Sequence, residues 1–296
     1  MQATSLTQGS DAPHRALPVL SADETALLTS WLHGRSAHTQ RAYRANVERF
    51  LGFMAKPLAA TTLADLQAYD AALQQEDLAP ASRARMLAAV KSLLSFAHET
   101  GYLSFNMGKA LRLPPIRARL AERILEEEAV VRMLALERDP RNVALLRLLY
   151  GGGLRLSEAC ALLWRDLQPR GEAGQVTVCG KGARERVVLL SAATWRALIA
   201  LRQAETVPDG PVFRSRNHRP LSATQAWRVV KVAAARADLP PEVSPHWMRH
   251  AHASHALDRG APISLVRESL GHSSLVTTSK YTHARPDDGS SRYLPA

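Results

Sequence analysis

The residues from Ser244 to His283 read SPHWMRHAHASHALDRGAPISLVRESLGHSSLVTTSKYTH, and they are the most informative part of the chain. Their first residues, Ser244 and Pro245, are typical of the N-cap and the first position of a helix. His246 and Arg249 then lie one turn apart on the same face. Because the N-terminus of a helix presents free N–H groups and a positive dipole end, this segment predicts a binding site for an anion such as phosphate.

A second helix and a tyrosine follow within the same stretch. The apolar spacing predicts a helix from about Ile263 to Leu270, which Gly271 ends and His272 follows directly. Tyr281 lies on a predicted short polar helix that begins near Thr277. Taken singly, His272 and Tyr281 are more often structural than catalytic, so their meaning depends on the rest of the chain.

Two further clusters of charged residues precede this stretch. Arg155 follows a glycine-rich break at the start of a predicted helix, and Glu158 lies one turn further on, within reach of an ion pair. Residues 175–190 alternate apolar and polar side chains around a Gly-Lys-Gly turn, which predicts a β-hairpin whose tip could enter a DNA groove. The tip and the strand after it carry Lys181, Arg184 and Arg186. Taken alone, the first cluster is more often a surface ion pair, and the second is more often an exposed basic turn.

The N-terminal part of the chain predicts a helical domain over residues 21–112. Ser21 and Glu24 form a capping box, and apolar residues recur at helical spacing after it. The predicted helices run from Ser21 to Trp31, Ala37 to Met54, Leu63 to Asp77 and Ala81 to Glu99. Residues 1–20 are polar and aperiodic, and they predict a flexible tail.

The segment 113–123 breaks this pattern with two prolines and several arginines, which favours an interdomain linker. Its Arg117 and Arg119 are candidate DNA contacts, and an ordinary solvated loop is the alternative. Residues 124–296 then predict a second domain that is mostly helical with a small antiparallel sheet. From Ala192 onward this domain is predicted to be helical except for a turn at 213–220.

The composition indicates which kind of molecule the chain binds. The chain of 296 residues has a formal net charge of +11, which suits a polyanion such as nucleic acid. It has no apolar run near the roughly 18 residues that span a bilayer, so no membrane partner is expected. Its two cysteines, Cys160 and Cys179, lack metal-ligand spacing, and they are expected to be packed thiols in a reducing cytoplasm.

Taken together, two arginines, a lysine, two histidines and a tyrosine predict a phosphate site that needs no metal. Arginine forks match two phosphate oxygens at once and stabilise the extra charge of a pentacoordinate phosphorus. Tyrosine is a poor nucleophile at its free pKa of roughly 10, so it needs a base or a cationic pocket.

These motifs resemble those of the tyrosine recombinases, also called phage integrases, and most closely their Xer-like two-domain bacterial members. The resemblance covers about residues 22–285 and is carried by Pro-His-x-x-Arg-His, Leu-Gly-His-Ser and Tyr-Thr-His at the family's spacing. The earlier Gly-Leu-Arg-x-Ser-Glu and the Gly-Lys-Gly hairpin match as well.

The resemblance implies a role for each matching residue. Tyr281 would be the nucleophile that forms a 3′-phosphotyrosyl bond to DNA. Arg155 and Arg249 would clamp the scissile phosphate. His246 would accept the proton of the tyrosine. Lys181 would give a proton to the leaving 5′-hydroxyl.

The remaining implications concern support and assembly. His272 would hydrogen-bond the phosphate, and Glu158 would orient the helix of the first arginine. The family uses neither a metal nor a nucleotide cofactor. The helical domain and the catalytic domain would clamp duplex DNA, and four protomers on two sites would exchange strands through a Holliday junction. The expected location is the cytoplasm, on the nucleoid, and the need for a partner recombinase is open.

The chain departs from the family pattern at several positions. Met248 replaces the usual leucine before the second arginine, and Met107 follows Asn106 where proline is common. Residues 287–292 are polar where Xer proteins carry a docking helix. A phage or mobile-element integrase therefore stays open beside a resolver of chromosome dimers.

Three other functions are compatible with parts of the pattern. His246, His250, His252 and His255 include a zinc-like i,i+4 pair, although the sequence places neither a glutamate base nor a third carboxylate ligand. A non-catalytic DNA-binding regulator and a type IB topoisomerase could share the fold. Sensitivity to a chelator, a covalent DNA adduct and relaxation of supercoils would separate them.

Overall fold

The computed structural model describes residues 20–115, 121–180, 185–204, 206–272, 278, 279 and 281. The chain divides into two compact units, residues 1–118 and 119–296. This boundary falls within the segment 113–123 that the sequence favours as a linker. The predicted tail lies outside the described residues except for its last residue.

Among its described residues, the first unit contains four α-helices. They are α1 (Ala22–Leu32), α2 (Ala37–Met54), α3 (Leu63–Gln75) and α4 (Pro80–Glu99). The capping box of α1 is confirmed, because the Glu24 N–H donates to Ser21 Oγ at 3.1 Å and the Ser21 N–H donates to Glu24 Oε2 at 3.0 Å. The apolar faces of the helices bury Phe50, Tyr69 and Leu87 in one core, so the predicted helical domain is confirmed.

The second unit contains seven α-helices and a three-stranded sheet among its described residues. The helices are α5 (Glu127–Leu136), α6 (Pro140–Gly151), α7 (Leu156–Ala161), α8 (Ala192–Ile199), α9 (Ala223–Arg236), α10 (Pro245–Asp258) and α11 (Ile263–Leu270). The strands are β1 (Leu167–Arg170), β2 (Ala173–Cys179) and β3 (Glu185–Leu190), and they pair antiparallel in that order. The predicted fold class is confirmed.

The sequence pattern did not predict strand β1, and it predicted helix directly after α8, where the structure has none among its described residues. Strand β1 is a short edge strand that contains Pro169, which is tolerated only because an edge strand needs fewer ladder hydrogen bonds. The described residues between 200 and 222 contain no helix. They run through Pro208, Pro211 and Pro220 and bury Phe213 beside isolated β-bridges.

The core of the second unit fixes helix α10, which carries His246, Arg249 and His250. Leu145 and Leu149 of α6 are fully buried, as are Val230 of α9 and Met248 of α10. Met248, the departure from the family pattern, therefore fills the core directly before Arg249. Arg249, the next residue of α10, is also buried.

The two cysteines differ in their exposure to solvent. Cys160 is half-buried, and burial raises the pKa of its thiol to about 11. Cys179 is exposed, so the prediction of two packed thiols is wrong for this residue, which lies at the end of β2.

In the part of the chain that the structure describes, no helix is long and apolar enough to cross a bilayer.

Candidate active site

Helix α10 brings Arg249 into the interior of the second unit. Ser244 occupies the N-cap and Pro245 the first turn, as predicted, but the Ser244 hydroxyl makes no capping hydrogen bond. Arg249 is 4% exposed, and its guanidinium donates to the carbonyl oxygens of Gly153 and Leu270, each at 2.5 Å. Burial and the charge of Arg155 lower the pKa of Arg249 to about 10, so the group stays charged at neutral pH.

Two turns that contain glycine place carbonyl oxygens within hydrogen-bonding distance of Arg249 and Arg155. Gly153 has φ +59°, and an added Cβ would lie 2.6 Å from Cδ2 of His252. Gly271 has φ +63°, and its carbonyl accepts a hydrogen bond from Arg155 Nη2 at 3.3 Å. Because only glycine adopts positive φ without strain, both turns depend on this residue type. The glycines therefore help to set the positions of both guanidinium groups.

Glu158 joins two arginines from different elements. Its Oε1 accepts from Arg155 Nη1 at 2.7 Å, and its two oxygens accept from Arg186 Nη1 and Nη2 at 2.9 and 2.7 Å. The Glu158 side chain is only 5% exposed. Burial alone would raise its pKa, but hydrogen bonds from Arg186 and Arg155 outweigh burial and hold the pKa at about 2. The carboxylate is therefore a fixed negative charge beneath Arg155.

Arg186 was predicted to contact DNA, but in the structure its side chain makes its contacts within the protein. Its guanidinium forms the bidentate pair with Glu158, and its Nε donates to the carbonyl of Ser269 at 2.8 Å. The side chain is 12% exposed. Arg186 thus ties strand β3 to helix α7 and to the end of α11 inside the protein, which leaves little of it to contact a phosphate.

Tyr281 lies beside these groups with its ring in a small apolar cluster. Its ring packs with Ala253, Val266 and Leu270, and the residue is 5% exposed. Its hydroxyl lies 2.7 Å from Nδ1 of His250. Burial raises the pKa of Tyr281, and the positive charge of Arg249 opposes that rise.

One of the predicted histidines, His272, contacts this tyrosine, and the other, His246, lies near His250. The ring of His272 stacks on Tyr281 with centroids 6.5 Å apart and planes 7° apart, and its Nδ1 lies 3.0 Å from Thr278 Oγ1. Burial, with Arg249 as the next cause, lowers the pKa of His272 to about 4. His246 lies one turn before His250, with ring centroids 6.3 Å apart. Partial desolvation and the charge of Arg249 lower its pKa as well.

The structure therefore brings together Arg155, Glu158, His246, Arg249, His272 and Tyr281 in the second unit. The predicted residues Lys181, Arg184, Arg117 and Arg119 lie outside the described residues.

His250 is the residue of this site that sequence reasoning did not assign. It directly follows Arg249 and was considered only as half of a zinc-like pair with His246. The spacing could have shown that a helix face carrying His246 also carries His250, one turn closer to the C-terminus of α10. The proximity of Tyr281, 31 residues later, had no local signal.

The other histidines of this cluster bind Tyr150. Nδ1 of His252 lies 2.7 Å from the Tyr150 carbonyl oxygen, and Nδ1 of His255 lies 3.0 Å from the Tyr150 hydroxyl. Among the described residues, no group of three or more histidine, cysteine, aspartate or glutamate side chains is arranged to hold a metal ion.

Comparisons with known proteins identify the family of the chain. The pattern of the Phage integrase family matches residues 123–287. The chain belongs to this family. A second pattern, the N-terminal SAM-like domain of phage integrases, matches residues 31–101. The resemblance to tyrosine recombinases and the prediction of an enzyme of that class are confirmed.

Individual relatives of this integrase cover most of its length. It is 35% identical to tyrosine recombinase XerC of Xylella fastidiosa (strain 9a5c), over 84% of this chain and 87% of the relative. It is 31% identical to tyrosine recombinase XerD of Corynebacterium glutamicum, over 88% and 94%. A crystal structure of XerH site-specific recombinase bound to palindromic difH substrate superposes with a TM-score of 0.71 at 21% identity, covering 88% of this chain and 80% of that chain. The last comparison supports the fold.

Proposed function

We propose that this integrase cuts and rejoins double-stranded DNA at a specific recombination site through a covalent bond between Tyr281 and a DNA 3′-phosphate. The observation that carries the proposal is the position of the Tyr281 hydroxyl within a cluster of cationic and imidazole groups. Such surroundings favour attack on a phosphodiester, since they stabilise the charge that develops on phosphorus. The proposed reaction uses no metal, nucleotide or other cofactor.

The two arginines supply the proposed phosphate clamp. A guanidinium has five N–H donors, and the described contacts of Arg155 engage two of its terminal nitrogens, with Glu158 and Gly271. The side chain is 36% exposed, so the remaining donors can reach phosphate oxygens. Arg249 adds a second positive charge beneath the site, and its proximity favours the ionised form of Tyr281.

The proposed chemistry conserves the energy of the phosphodiester bond. Tyr281 Oη forms a bond to phosphorus as the bond from phosphorus to the 5′-oxygen breaks. The proton of Tyr281 passes to a histidine of α10, which the family resemblance assigns to His246. Lys181 protonates the leaving 5′-oxygen, and His272 donates a hydrogen bond to the phosphate. Attack by a 5′-hydroxyl on the phosphotyrosine then reverses these steps and rejoins the strand.

The proposed assembly uses both halves of the chain. Residues 21–112 and the catalytic domain 124–296 would hold duplex DNA, with the linker 113–123 between them. Arg117, Arg119 and Arg184 are proposed phosphate contacts. Four protomers on paired sites would exchange strands through a Holliday junction, with a partner recombinase as a further requirement to be tested. The proposed place of action is the cytoplasm, on the nucleoid.

A suicide substrate tests this function. Selection of bound genomic fragments would first give the DNA site, and a nick placed next to the cut position would then let the released end diffuse away. We expect wild-type protein to remain attached to a DNA 3′ end, both without and with excess EDTA. Tyr281→Phe should bind the DNA and form no adduct, whereas the control Tyr293→Phe should form it. An adduct with Tyr281→Phe, or loss of the adduct in EDTA, would contradict the proposal.

A further inference from the structure

The Tyr281 hydroxyl makes a hydrogen bond with His250. The distance from Oη to Nδ1 is 2.7 Å, and the two ring centroids are 5.6 Å apart with planes at 46°. Tyr281 is 5% exposed and His250 is half-buried. A short contact between a phenol and an imidazole, both shielded from water, is the arrangement in which a proton can pass directly between them.

The position of His250 also separates it from His246. His246 lies one turn earlier on α10 and is exposed, and no hydrogen bond joins it to Tyr281 among the described residues. His250 is thus the α10 histidine that contacts the tyrosine hydroxyl, which leaves the more exposed His246 available to the phosphate.

We propose that His250 is the group that accepts the phenolic proton of Tyr281 when Oη attacks phosphorus. This inference rests on the proposed function, since it concerns the same step. The Oη–H bond breaks and the proton moves to Nδ1, which requires His250 to carry its own hydrogen on Nε2. The Oη–P bond forms, and the bond from phosphorus to the 5′-oxygen breaks with its electron pair on that oxygen. His250 becomes an imidazolium and returns the proton to Oη when the strand is rejoined.

The charge state of His250 suits this role. Desolvation lowers its pKa to about 4, and the charges of His246, Arg123, Arg249 and His272 act in the same direction. The ring is therefore neutral at neutral pH and has a lone pair free on one nitrogen.

The same surroundings determine when the proton moves. Because the pKa of Tyr281 is raised, transfer to so weak a base is unfavourable in the free protein. A bound phosphate offsets the nearby positive charges, and the phenol becomes strongly acidic as Oη bonds to phosphorus. Transfer thus accompanies the attack and leaves the tyrosine protonated in the absence of DNA.

The alternative to be excluded is that His250 only holds the hydroxyl in place and does not take its proton. His250→Asn separates the two roles, because Oδ1 of asparagine lies near the position of Nδ1 and can accept a hydrogen bond but is not a base. His250→Ala removes both the hydrogen bond and the base, and it leaves space for added imidazole. His252→Ala is a matched control on the same helix, since the His252 ring contacts the Tyr150 carbonyl rather than Tyr281.

The experiment measures the single-turnover rate of adduct formation on the nicked substrate, with DNA affinity and Tm recorded for each variant. We expect His250→Asn and His250→Ala to be slower than wild type by about 10²-fold or more, with DNA affinity close to normal. Imidazole should accelerate His250→Ala in proportion to its concentration and should not accelerate His252→Ala. More basic imidazoles should accelerate it further, which a purely structural defect would not show.

Two results would overturn the inference. One is adduct formation by His250→Asn within about threefold of wild type, because the hydrogen bond alone would then suffice. The other is a folded, DNA-binding His250→Ala that imidazole does not accelerate. If His250→Ala fails to fold, the rate of His250→Asn decides between the two roles. Wild-type adduct formation through Tyr281 is measured separately, so a failure of the proposed function is distinguishable from a failure of this assignment.

Discussion

Replacement of Glu158 by glutamine removes the charge on which two arginines converge. The glutamine keeps the shape of the side chain, but it has one acceptor oxygen, and its NH₂ group would face a guanidinium. Arg186, with a side chain that is 12% exposed, would lose its bidentate partner and remain a buried positive charge. Arg155 would lose the contact that holds one edge of its guanidinium.

The size of the effect follows from the ionisation of Glu158. A fall of its pKa from the ordinary 4.5 to about 2 corresponds to about 3 kcal/mol in favour of the charged, folded form. Breaking a buried ion pair by removing one partner typically costs ~3–5 kcal/mol. We therefore expect Glu158→Gln to lower the free energy of unfolding of the second unit by about 3 kcal/mol at neutral pH.

The pH dependence gives the same prediction a second test. The folded-state pKa of Glu158 is lowered, so its contribution is fully present above about pH 4.5 and is lost as the pH falls towards 2. The difference in stability between wild type and Glu158→Gln should therefore shrink across that interval, because the variant has no carboxylate to protonate.

Urea unfolding followed by the fluorescence of Trp164 and Trp195, which pack in the core of the second unit, measures the effect. Asp209→Asn is the control, because it removes an ion pair with Arg165 in which both side chains are largely exposed. We expect this control to cost less than about 1 kcal/mol. A loss for Glu158→Gln no larger than for Asp209→Asn would refute the reasoning.

Three further predictions concern catalysis and DNA binding. Arg249→Lys should reduce cleavage by at least about 10²-fold with little loss of DNA affinity, because an ammonium cannot keep both contacts, to the Gly153 and Leu270 carbonyls, that hold the charge of Arg249 beneath the site, and near-normal cleavage would contradict this role. Lys181→Ala should cleave normal DNA slowly but cleave a substrate with sulfur in place of the leaving 5′-oxygen at close to the wild-type rate; equal slowness on both would remove Lys181 as the acid. The logarithm of the DNA binding constant should fall against the logarithm of salt concentration with a slope of about −0.9 per phosphate contacted, and a flat dependence would argue against a clamp.

Local patterns predicted much of the fold. The Ser21 capping box, the proline at the start of α10 and the Gly271 that ends α11 each determine an element boundary through contacts within a few residues. The segment between α8 and α9 was harder to predict, because it buries Phe213 without a local period and is joined by Pro211 to the distant Leu163.

The site shows the same division between local and long-range information. Arg155 and Glu158 are three residues apart, and their contact was predictable from helical spacing. Arg186 meets Glu158 across 28 residues, and His250 meets Tyr281 across 31. Neither pairing has a periodic signal, so Arg186 was assigned to the DNA and His250 received no role. Only the packing of β3, α7, α10 and α11 brings these groups together.

The most direct test of the central claim is the identity of the residue that carries the DNA. Wild-type protein trapped on a nicked substrate would be digested with nuclease and protease, and the modified peptide would be sequenced by mass spectrometry. We predict a nucleotide joined through its 3′-phosphate to the tyrosine oxygen of Tyr281. A nucleotide on any other residue, or attached through a 5′-phosphate, would contradict the account.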